Sequence, residues 1–475
     1  MSWLDDLRVS GADSHLTGAV EIASRVGRGE WSAVAVASSH LERIRLLNQK
    51  YNFFCFVYEE EALATAAEID RMVQQGRTPG PFWGVPYALK DFMPTKGKVT
   101  TLGSEAFKDW IPTEDPPVVE RLRQAGGILL GKTTTSELAH SSFTRSHLWG
   151  VSRNPWDSSR TPGGSSGGSA GAVATGMVAV AEGSDAGGSV RIPASCCGVV
   201  GYKPPLGRVP MHSTGNDFET IFHHGPLARS VDDCALMLNV MAGPDERDPL
   251  SLLDRPSFSI PVPVQVSGLR VALSIDLGFF EVDPQVRDGC LAVGMALREL
   301  GATVDQVELG WEREVVDSWA AYWGVLLAAM YGDKIEAYGE VMDQALLRLI
   351  RQGQHMDAVS FKQIDLARSR QWQCLAPVLQ SHEVLICPTL AVPVPAAEGL
   401  DDDSYGAPSE SGKLLGLDMT CPFNFVPQCP VISVPCGRTK DGLPIGVQVV
   451  GRRFDDLTVL MVAKAIERVV SWGSR

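Results

Sequence analysis

The sequence predicts an α/β fold in which a mixed central β-sheet is covered by helices on both faces. Short apolar runs alternate along the chain with segments whose apolar residues recur at helical spacing. Strands that alternate with helices usually form a parallel or mixed sheet, because the helices between them cover the sheet. With 475 residues, 44% of them hydrophobic and 21% charged, the chain has the composition of a globular protein with a large core.

Six segments favour helices. Apolar residues recur at helical spacing over 32–49, and the segment 118–124 ends at a Gly-Gly pair, a common helix terminus. The alanine-rich segment 170–181 is long enough for a buried helix. Helical patterns also cover 284–300, 315–331 and 456–469.

Six short apolar runs predict strands. The Ile-Leu-Leu run at 128–130 directly follows a predicted helix, so a short buried strand is expected there. The other predicted strands are 84–89, 270–274, 383–387, 431–435 and 445–450.

The remaining segments are assigned to turns and loops. His223 and His224 are expected in a turn before a Gly-Pro pair, and residues 396–412, rich in Asp, Ser, Gly and Pro, in a surface loop. No repeat or linker divides the chain, so we expect a single domain over 1–475 with a helical N-terminal segment at about 1–60.

Composition excludes several function classes. A formal net charge of −14 disfavours nucleic-acid binding, which requires a cationic face. The chain has no apolar window long enough to span a bilayer and no basic leader segment, so it is expected to be soluble and cytoplasmic. Ten cysteines without a C-x-x-C pair and nine scattered histidines predict neither a disulfide framework nor a metal site, and no cofactor is expected.

Two serine-bearing glycine turns flank the apolar segment 170–181. The first is Gly-Gly-Ser-Ser-Gly at 163–167, and the second is Gly-Ser-Asp-Ala-Gly-Gly-Ser at 183–189. Glycine lets the backbone approach a reacting atom closely, and serine supplies a hydroxyl. Together the turns can present a nucleophile and backbone N–H donors, so they predict a hydrolase site.

Two shorter patterns suggest other chemistry and are rejected on context. Residues 126–133 match the phosphate-loop pattern G-x-x-x-x-G-K-[ST], but a helix precedes them and their interior is apolar, as in a buried strand. Residues 163–167 match the nucleophile elbow G-x-S-x-G, but the segment before them, 154–162, is rich in turn residues rather than a strand.

A set of motifs along the whole chain resembles the amidase signature family of serine hydrolases. Besides the two serine turns, the resemblance rests on Gly-Val-Pro-Tyr-Ala-Leu-Lys-Asp at 84–91, the segment 118–137, Pro-Phe-Asn at 422–424 and Gly-Leu-Pro-Ile-Gly-Val-Gln-Val-Val-Gly at 442–451. It implies the amidase signature fold and hydrolysis of amide C–N bonds.

The resemblance also implies roles for individual residues. Ser189 matches the nucleophile, Ser165 the bridging serine held by a cis peptide bond, and Lys90 the general base. Lys90 follows an apolar run, which is consistent with the burial that lets a lysine act while neutral. The oxyanion hole is assigned to the backbone N–H groups of Ala186, Gly187, Gly188 and Ser189. Ser166 is a candidate for orienting Lys90, and Asp185 and Arg191 for pinning the loop; a purely structural role is equally open for these three.

The expected substrate is a small amide, with a preference for aryl or apolar amides such as anilides. Carbamates, through urethanase activity, and esters are further candidates. This preference assumes that one or two of four tryptophans face the substrate, namely Trp311, Trp319, Trp323 and Trp372. Relatives commonly have Asn-x-x-Gly-x-Pro where this chain has Asn-Phe-Val-Pro-Gln-Cys-Pro at 424–430, so the pocket wall is expected to differ there.

Other functions and assemblies stay open. The chain also resembles the catalytic subunit of glutamine-dependent tRNA amidotransferases, which would work within a complex. A non-catalytic binding protein of the same fold is a third hypothesis, and the joint presence of Lys90, Ser165 and Ser189 argues against it. No nucleic-acid or membrane partner is expected, and a homodimer is kept as a candidate assembly.

Overall fold

The fold is organised around a mixed β-sheet, seen in a computed structural model that describes residues 16–260, 264–398, 408–417 and 419–470. The strands are β1 Phe54–Val57, β2 Pro86–Lys90, β3 Ile128–Thr133, β4 Arg145–Ser146, β5 Gly150–Val151, β6 Val180–Asp185, β7 Val200–Lys203, β8 His223–Ala228, β9 Arg270–Leu273, β10 Thr303–Gln306, β11 Val384–Pro388, β12 Val431–Arg438 and β13 Pro444–Gly451.

Helices lie around this sheet. They are α1 Ala19–Gly27, α2 Ala33–Tyr51, α3 Glu59–Gln74, α4 Pro117–Gln124, α5 Gly167–Ala174, α6 Arg191–Cys197, α7 Val231–Met241, α8 Pro284–Glu299, α9 Glu314–Tyr331, α10 Ile335–Tyr338, α11 Gln344–Gln354, α12 Ala358–Ser381 and α13 Asp456–Val469. None of the helices in the described residues combines the length and apolar character that crossing a bilayer requires.

Eleven strands of the described chain form one sheet in the order β1-β3-β2-β6-β8-β7-β12-β13-β11-β9-β10, and β4 pairs with β5 separately. β2 runs parallel to both β3 and β6, whereas β6 and β8 are antiparallel, as are β12 and β13. The predicted mixed sheet is therefore confirmed. Since β3, β2 and β6 are parallel, their carboxyl ends meet at one edge, where ligands bind in α/β folds.

Local sequence explains where several helices begin. The Ser32 hydroxyl accepts a hydrogen bond from the N–H of Ala35 at the start of α2, and Asp283 caps α8 in the same way before Pro284. Such caps satisfy N–H groups that have no partner inside the helix. The largest apolar cluster packs α1, α2, α7, α8 and α13 onto the sheet.

A second apolar cluster lies at the carboxyl edge rather than across the sheet. It joins α9, α11 and α12 to the loops that follow β2 and β6, and it includes Phe92, Ala186, Phe222 and Trp323. These three helices therefore cover the edge at which the parallel strands end.

Two sequence predictions are wrong. The segment 170–181 is not one helix: α5 ends at Ala174, and 180–181 begin the buried strand β6. Gly176 takes a φ of 70°, which turns the chain out of the helix, and an apolar run alone does not distinguish a buried helix from a buried strand. His223 and His224 begin strand β8 rather than a turn, because antiparallel pairing with β6 satisfies the backbone despite the Gly-Pro pair that follows.

Two other predictions fall partly outside the described residues. The helical N-terminal segment is represented by α1 and α2, while residues 1–15 are not described. The expected loop at 396–412 overlaps the undescribed segment 399–407. The other predicted helices and strands are present, with boundaries shifted by at most a few residues.

Candidate active site

The carboxyl ends of three parallel strands place the predicted site residues. Lys90 is the last residue of β2, and it lies in register with Thr133, the last residue of β3. Asp185 is the last residue of β6, the strand on the other side of β2. The loop that carries Ser189 leaves β6 at this point, so the topology brings Lys90 and the second serine turn to one edge.

Lys90 is completely buried, and its amino group contacts two hydroxyls. The Nζ atom donates to Ser165 Oγ at 2.6 Å and to Ser184 Oγ at 2.9 Å. Burial lowers the pKa of Lys90 to about 7, although the negative charges of Glu182 and Asp185 act in the opposite direction. The neutral amine is therefore accessible near neutral pH, as a general base requires.

Ser165 lies in the first serine turn, just before α5. Its peptide bond with Gly164 is cis, as the family resemblance implies, and its side chain is buried. The Thr144 hydroxyl donates to the carbonyl of Gly163 at 2.8 Å and accepts from the N–H of Gly167 at 2.9 Å. These contacts fix the turn that aims the hydroxyl of Ser165 at Lys90.

Ser189 joins this group through the backbone. The N–H of Ser166 donates to the carbonyl of Ser189 at 3.2 Å, which holds the two serine turns together. Ser189 is partly exposed, whereas Lys90 and Ser165 are fully buried. Among the described residues, the Ser189 hydroxyl has no hydrogen-bond partner, so it remains available to an incoming group.

A buried ion pair anchors the second serine turn. The Arg191 guanidinium binds both carboxylate oxygens of Asp185, at 2.9 and 2.8 Å, and the Asn424 amide donates to the same carboxylate at 3.0 Å. Although burial opposes the charged form, Arg191 and Asn424 hold the pKa of Asp185 well below its ordinary value. Both charged groups are buried away from solvent. The position of Asp185 and Arg191 therefore favours a structural role, in which they hold the loop in place.

The four predicted oxyanion donors lie in the loop between Asp185, the last residue of β6, and Arg191, the first residue of α6. The Trp319 indole N–H donates to the carbonyl of Ala186 at 2.9 Å, and the Thr420 hydroxyl donates to that of Gly187 at 2.6 Å. Both contacts fix the peptide planes of the loop. Gly188 has a φ of 135°, and a Cβ there would lie 1.8 Å from Thr420 Oγ1, so only glycine fits.

Trp319 packs against the loop that carries the predicted oxyanion donors. Its ring is partly exposed, and a Cβ built on Gly187 would lie 2.2 Å from it, so the indole packs directly on the glycine backbone. Trp323 stacks on Trp319 with ring centroids 6.2 Å apart, but it is buried in the second apolar cluster. Trp311 is buried against Phe423, and Trp372 lies under Arg453.

The structure also corrects the expected contact of Ser166. Its hydroxyl donates to the carbonyl of Ser184 at 3.3 Å, and the side chain that contacts Lys90 in addition to Ser165 is that of Ser184. The sequence pattern predicts no role for Ser184, although this residue lies in the second serine turn. Thr420 was also missed, because nothing in its local sequence reveals a contact with a loop more than two hundred residues away.

The phosphate-loop pattern is a strand, as its context predicts. Lys132 lies in β3, is fully buried, and donates to the carbonyl of Met93 at 3.0 Å and to the hydroxyl of Thr100. Such a lysine faces the protein interior instead of a phosphate. In the described parts of the chain, no three His, Cys, Asp or Glu side chains are grouped so that they could hold a metal ion.

Comparisons with known proteins show which family the chain resembles. The family model described as Amidase matches residues 35–460. An acylamidase of Rhodococcus erythropolis is 36% identical over 465 residues, covering 97% of each chain. A glutamyl-tRNA(Gln) amidotransferase subunit of Synechococcus sp. (strain CC9605) is 35% identical over 468 residues, covering 93% of this chain and 94% of the relative.

Among solved structures, a bacterial aryl acylamidase of the amidase signature enzymes superposes with a TM-score of 0.91. Its sequence is 30% identical, and the alignment covers 97% of this chain and 98% of the other.

Proposed function

Since this chain belongs to the amidase signature family and is an enzyme that hydrolyses amide C–N bonds, we propose that its preferred substrates are aryl or otherwise apolar amides such as anilides. Small carbamates and esters are proposed as secondary substrates. Hydrolysis proceeds through an acyl-enzyme on Ser189. The observation that carries the mechanism is the buried contact of 2.6 Å between Lys90 Nζ and Ser165 Oγ.

The proposed relay begins at Lys90. Because burial lowers its pKa to about 7, the neutral amine takes the proton of Ser165. Ser165 in turn takes the proton of Ser189, whose oxygen attacks the acyl carbon. Catalytic hydrogen bonds are often long or absent before substrate binds, so the Ser165–Ser189 bond is expected to form in the complex.

The loop after β6 stabilises the charge that develops. Backbone N–H groups of Ala186, Gly187, Gly188 and Ser189 surround the proposed oxyanion, and one such donor is typically worth about 3 kcal/mol of barrier. The proton then returns through Ser165 to the departing nitrogen, so the relay does not depend on a good leaving group. Water cleaves the acyl-enzyme by the same relay.

Trp319 supports the preference for aryl amides. Its indole is partly exposed, and its contacts with Ala186 and Gly187 place it beside the proposed oxyanion donors. A flat apolar group bound there would stack on the ring and leave water. The names of two relatives, an acylamidase and an aryl acylamidase, support the same class of substrate.

The alternative function is that of a catalytic component in a tRNA amidotransferase. Two relatives with that name are 35% and 34% identical, so the core alone does not separate the two functions. The TM-score of 0.91 with an aryl acylamidase, against 0.78 for a glutamyl-tRNA(Gln) amidotransferase subunit, favours the stand-alone enzyme. Glutaminase activity that appears only with partner subunits would support the alternative.

A substrate panel tests the proposal. We would compare kcat/KM for a nitroanilide, an aryl carbamate, malonamate and glutamine, with Ser189→Ala as the inactive control. The nitroanilide is expected to lead the panel, and a fluorophosphonate is expected to label Ser189. A clear preference for the two polar amides would overturn the aryl preference, and labelling of Ser165 in place of Ser189 would overturn the proposed nucleophile.

A further inference from the structure

Beside the Lys90–Ser165 site, a hydroxyl, an imidazole and a carboxylate form a hydrogen-bonded chain. Ser213 Oγ is 2.7 Å from Nε2 of His224, and Nδ1 of His224 is 2.9 Å from Oε1 of Glu182. His224 lies on β8 and Glu182 on the adjacent strand β6, so the sheet fixes the imidazole and the carboxylate. Nucleophile, base and orienting acid occur in this order in serine hydrolases on unrelated folds.

The hydrogen bonds define the tautomer of His224. The Lys90 backbone N–H donates to Oε2 of Glu182 at 3.1 Å, and Oε1 faces His224. An ionised carboxylate only accepts hydrogen bonds, so Nδ1 of His224 carries the proton. In the neutral ring, Nε2 then presents its lone pair to the Ser213 hydroxyl, as a general base requires.

Two hydrogen-bond acceptors lie within reach of the Ser213 hydroxyl. It lies 2.8 Å from the carbonyl of Met211 and 2.7 Å from His224 Nε2. A hydroxyl carries one proton and rotates freely about its C–O bond. A rotation therefore moves the proton from the carbonyl to the imidazole without moving the loop.

Ser213 lines a pocket of about 490 Å³. Four aromatic side chains line part of the wall, namely Phe92, Phe107, Trp110 and Tyr331, and Thr214 and Gly215 follow Ser213 in the lining. Ser213 is half-buried, whereas His224 and Glu182 are each only 1% exposed as side chains. A ligand in the pocket can thus reach the hydroxyl, while the imidazole and the carboxylate are shielded from bulk solvent.

We propose that Ser213 is a second nucleophile, activated by His224 and Glu182, and that the pocket takes small aryl esters. Ser213 Oγ bonds to the acyl carbon as its proton passes to His224 Nε2, and the bond to the aryloxy oxygen breaks as His224 returns the proton to it. The phenol leaves, and water, with His224 as base, cleaves the acyl-Ser213 to the carboxylic acid. The N–H of Thr214 takes the oxyanion role that the residue after the nucleophile fills in other hydrolases.

The chemistry favours an ester over an amide at this position. An aryloxy group leaves readily, so ester cleavage depends less on the exact position of His224 as proton donor than amide cleavage does, because an amide nitrogen must be protonated as its bond breaks. The aromatic wall of the pocket also suits an aryl ring, which buries well against other rings.

The test uses the full chain with Ser189 replaced, so that the first site is silent. Ser189→Ala protein is treated with a fluorophosphonate and mapped by peptide mass spectrometry, and its hydrolysis of 4-nitrophenyl acetate is measured. We expect one label on Ser213 and ester hydrolysis at least tenfold faster than by the Ser189→Ala/Ser213→Ala double variant. Absence of the label from Ser213, or equal rates for the two proteins, would overturn the proposal.

Two histidine variants in the same background test the role of the base. His224→Gln is expected to slow labelling of Ser213 at least tenfold, and His212→Gln, which changes the residue next to Ser213 that contacts Asp217, to leave it unchanged. Labelling of His224→Gln at the parent rate would contradict the proposal. If thermal unfolding shows that His224→Gln does not fold, the Ser189→Ala/Ser213→Ala double variant provides the test instead. Ser213 is half-buried, so replacing it with alanine is expected to cost little stability.

Discussion

The amino group of Lys90 donates to the hydroxyl of Ser184 at 2.9 Å, in addition to its bond with Ser165. Ser184 and Ser165 come from opposite sides of the apolar segment between the two serine turns. The buried amine is thus held in position by both turns. A lysine side chain has high rotamer freedom, and two hydroxyl partners restrict it to the orientation that faces Ser165.

Replacing Ser184 by alanine tests this second contact. We expect Ser184→Ala to lower kcat by up to about tenfold, since the reacting amine is neutral and a hydrogen bond between neutral groups is worth about 0.5–1.5 kcal/mol. The variant also loses a partner of the protonated amine, so the pKa of Lys90 falls further and the acidic limb of the pH profile moves to lower pH. Ser184→Thr keeps a hydroxyl and serves as the control; equal loss of activity in both variants would show that packing rather than the hydroxyl matters.

The pH dependence of kcat/KM reports on Lys90 itself. The reaction uses the neutral amine, so activity is low when Lys90 is protonated and rises with pH through the lowered pKa of about 7. Glu182→Gln removes a negative charge that favours the protonated form, and it is expected to move this limb to lower pH. A limb that stays in place in Glu182→Gln, or activity retained by Lys90→Ala, would contradict the assignment of the base.

Gly188 is expected to tolerate no side chain. In Gly188→Ala, the Cβ would clash with Thr420, and a φ of 135° is unfavourable for any residue with a side chain. The loop is therefore expected to shift, so that its N–H groups no longer point toward the oxyanion. Loss of one oxyanion donor typically costs about 10²–10³ in kcat, and a decrease of that size is predicted here. Gly437→Ala is the matched control, because nothing lies within 4 Å of its Cβ. Steady-state kinetics and thermal unfolding of both variants check the prediction, which a kcat near that of the parent enzyme would refute.

Trp319 is expected to discriminate between substrates. Trp319→Ala should lower kcat/KM for a nitroanilide about tenfold more than for malonamate. Stacking of the aryl group on the indole is worth about 0.5–1.5 kcal/mol, in addition to the free energy of burying its apolar area. Trp319→Phe keeps a ring but loses the bond to Ala186, which separates stacking from loop support. Trp372→Ala, at a partly exposed ring packed on Arg453, is the control. If Trp319→Ala lowered kcat/KM equally for both substrates, the proposed preference for aryl amides would be contradicted.

Most of the regular structure could be predicted because its signal is local. The helical spacing over 284–300 and the apolar run at 445–450 correspond to α8 and β13. The error at 170–181 has a physical cause. An alanine-rich helix and a strand buried on both faces both appear as apolar runs, and the local signal that marks the end of the helix is Gly176. His223 and His224 belong to a strand because they pair with β6, which lies about forty residues earlier in the chain.

The sequence by itself predicted a hydrolase, because motifs of glycine and serine encode backbone freedom and hydroxyls locally. Its resemblance to the amidase signature family implied the roles of Lys90, Ser165 and Ser189, and the helix before the phosphate-loop pattern argued against a phosphate site. Only the tertiary structure decided which groups meet. The contacts of Lys90 with Ser184, of Gly187 with Thr420 and Trp319, and of His224 with Ser213 and Glu182 join residues from separate strands and loops. Such distances depend on strand order and helix packing, which sum over the whole chain and leave no mark in any short stretch of it.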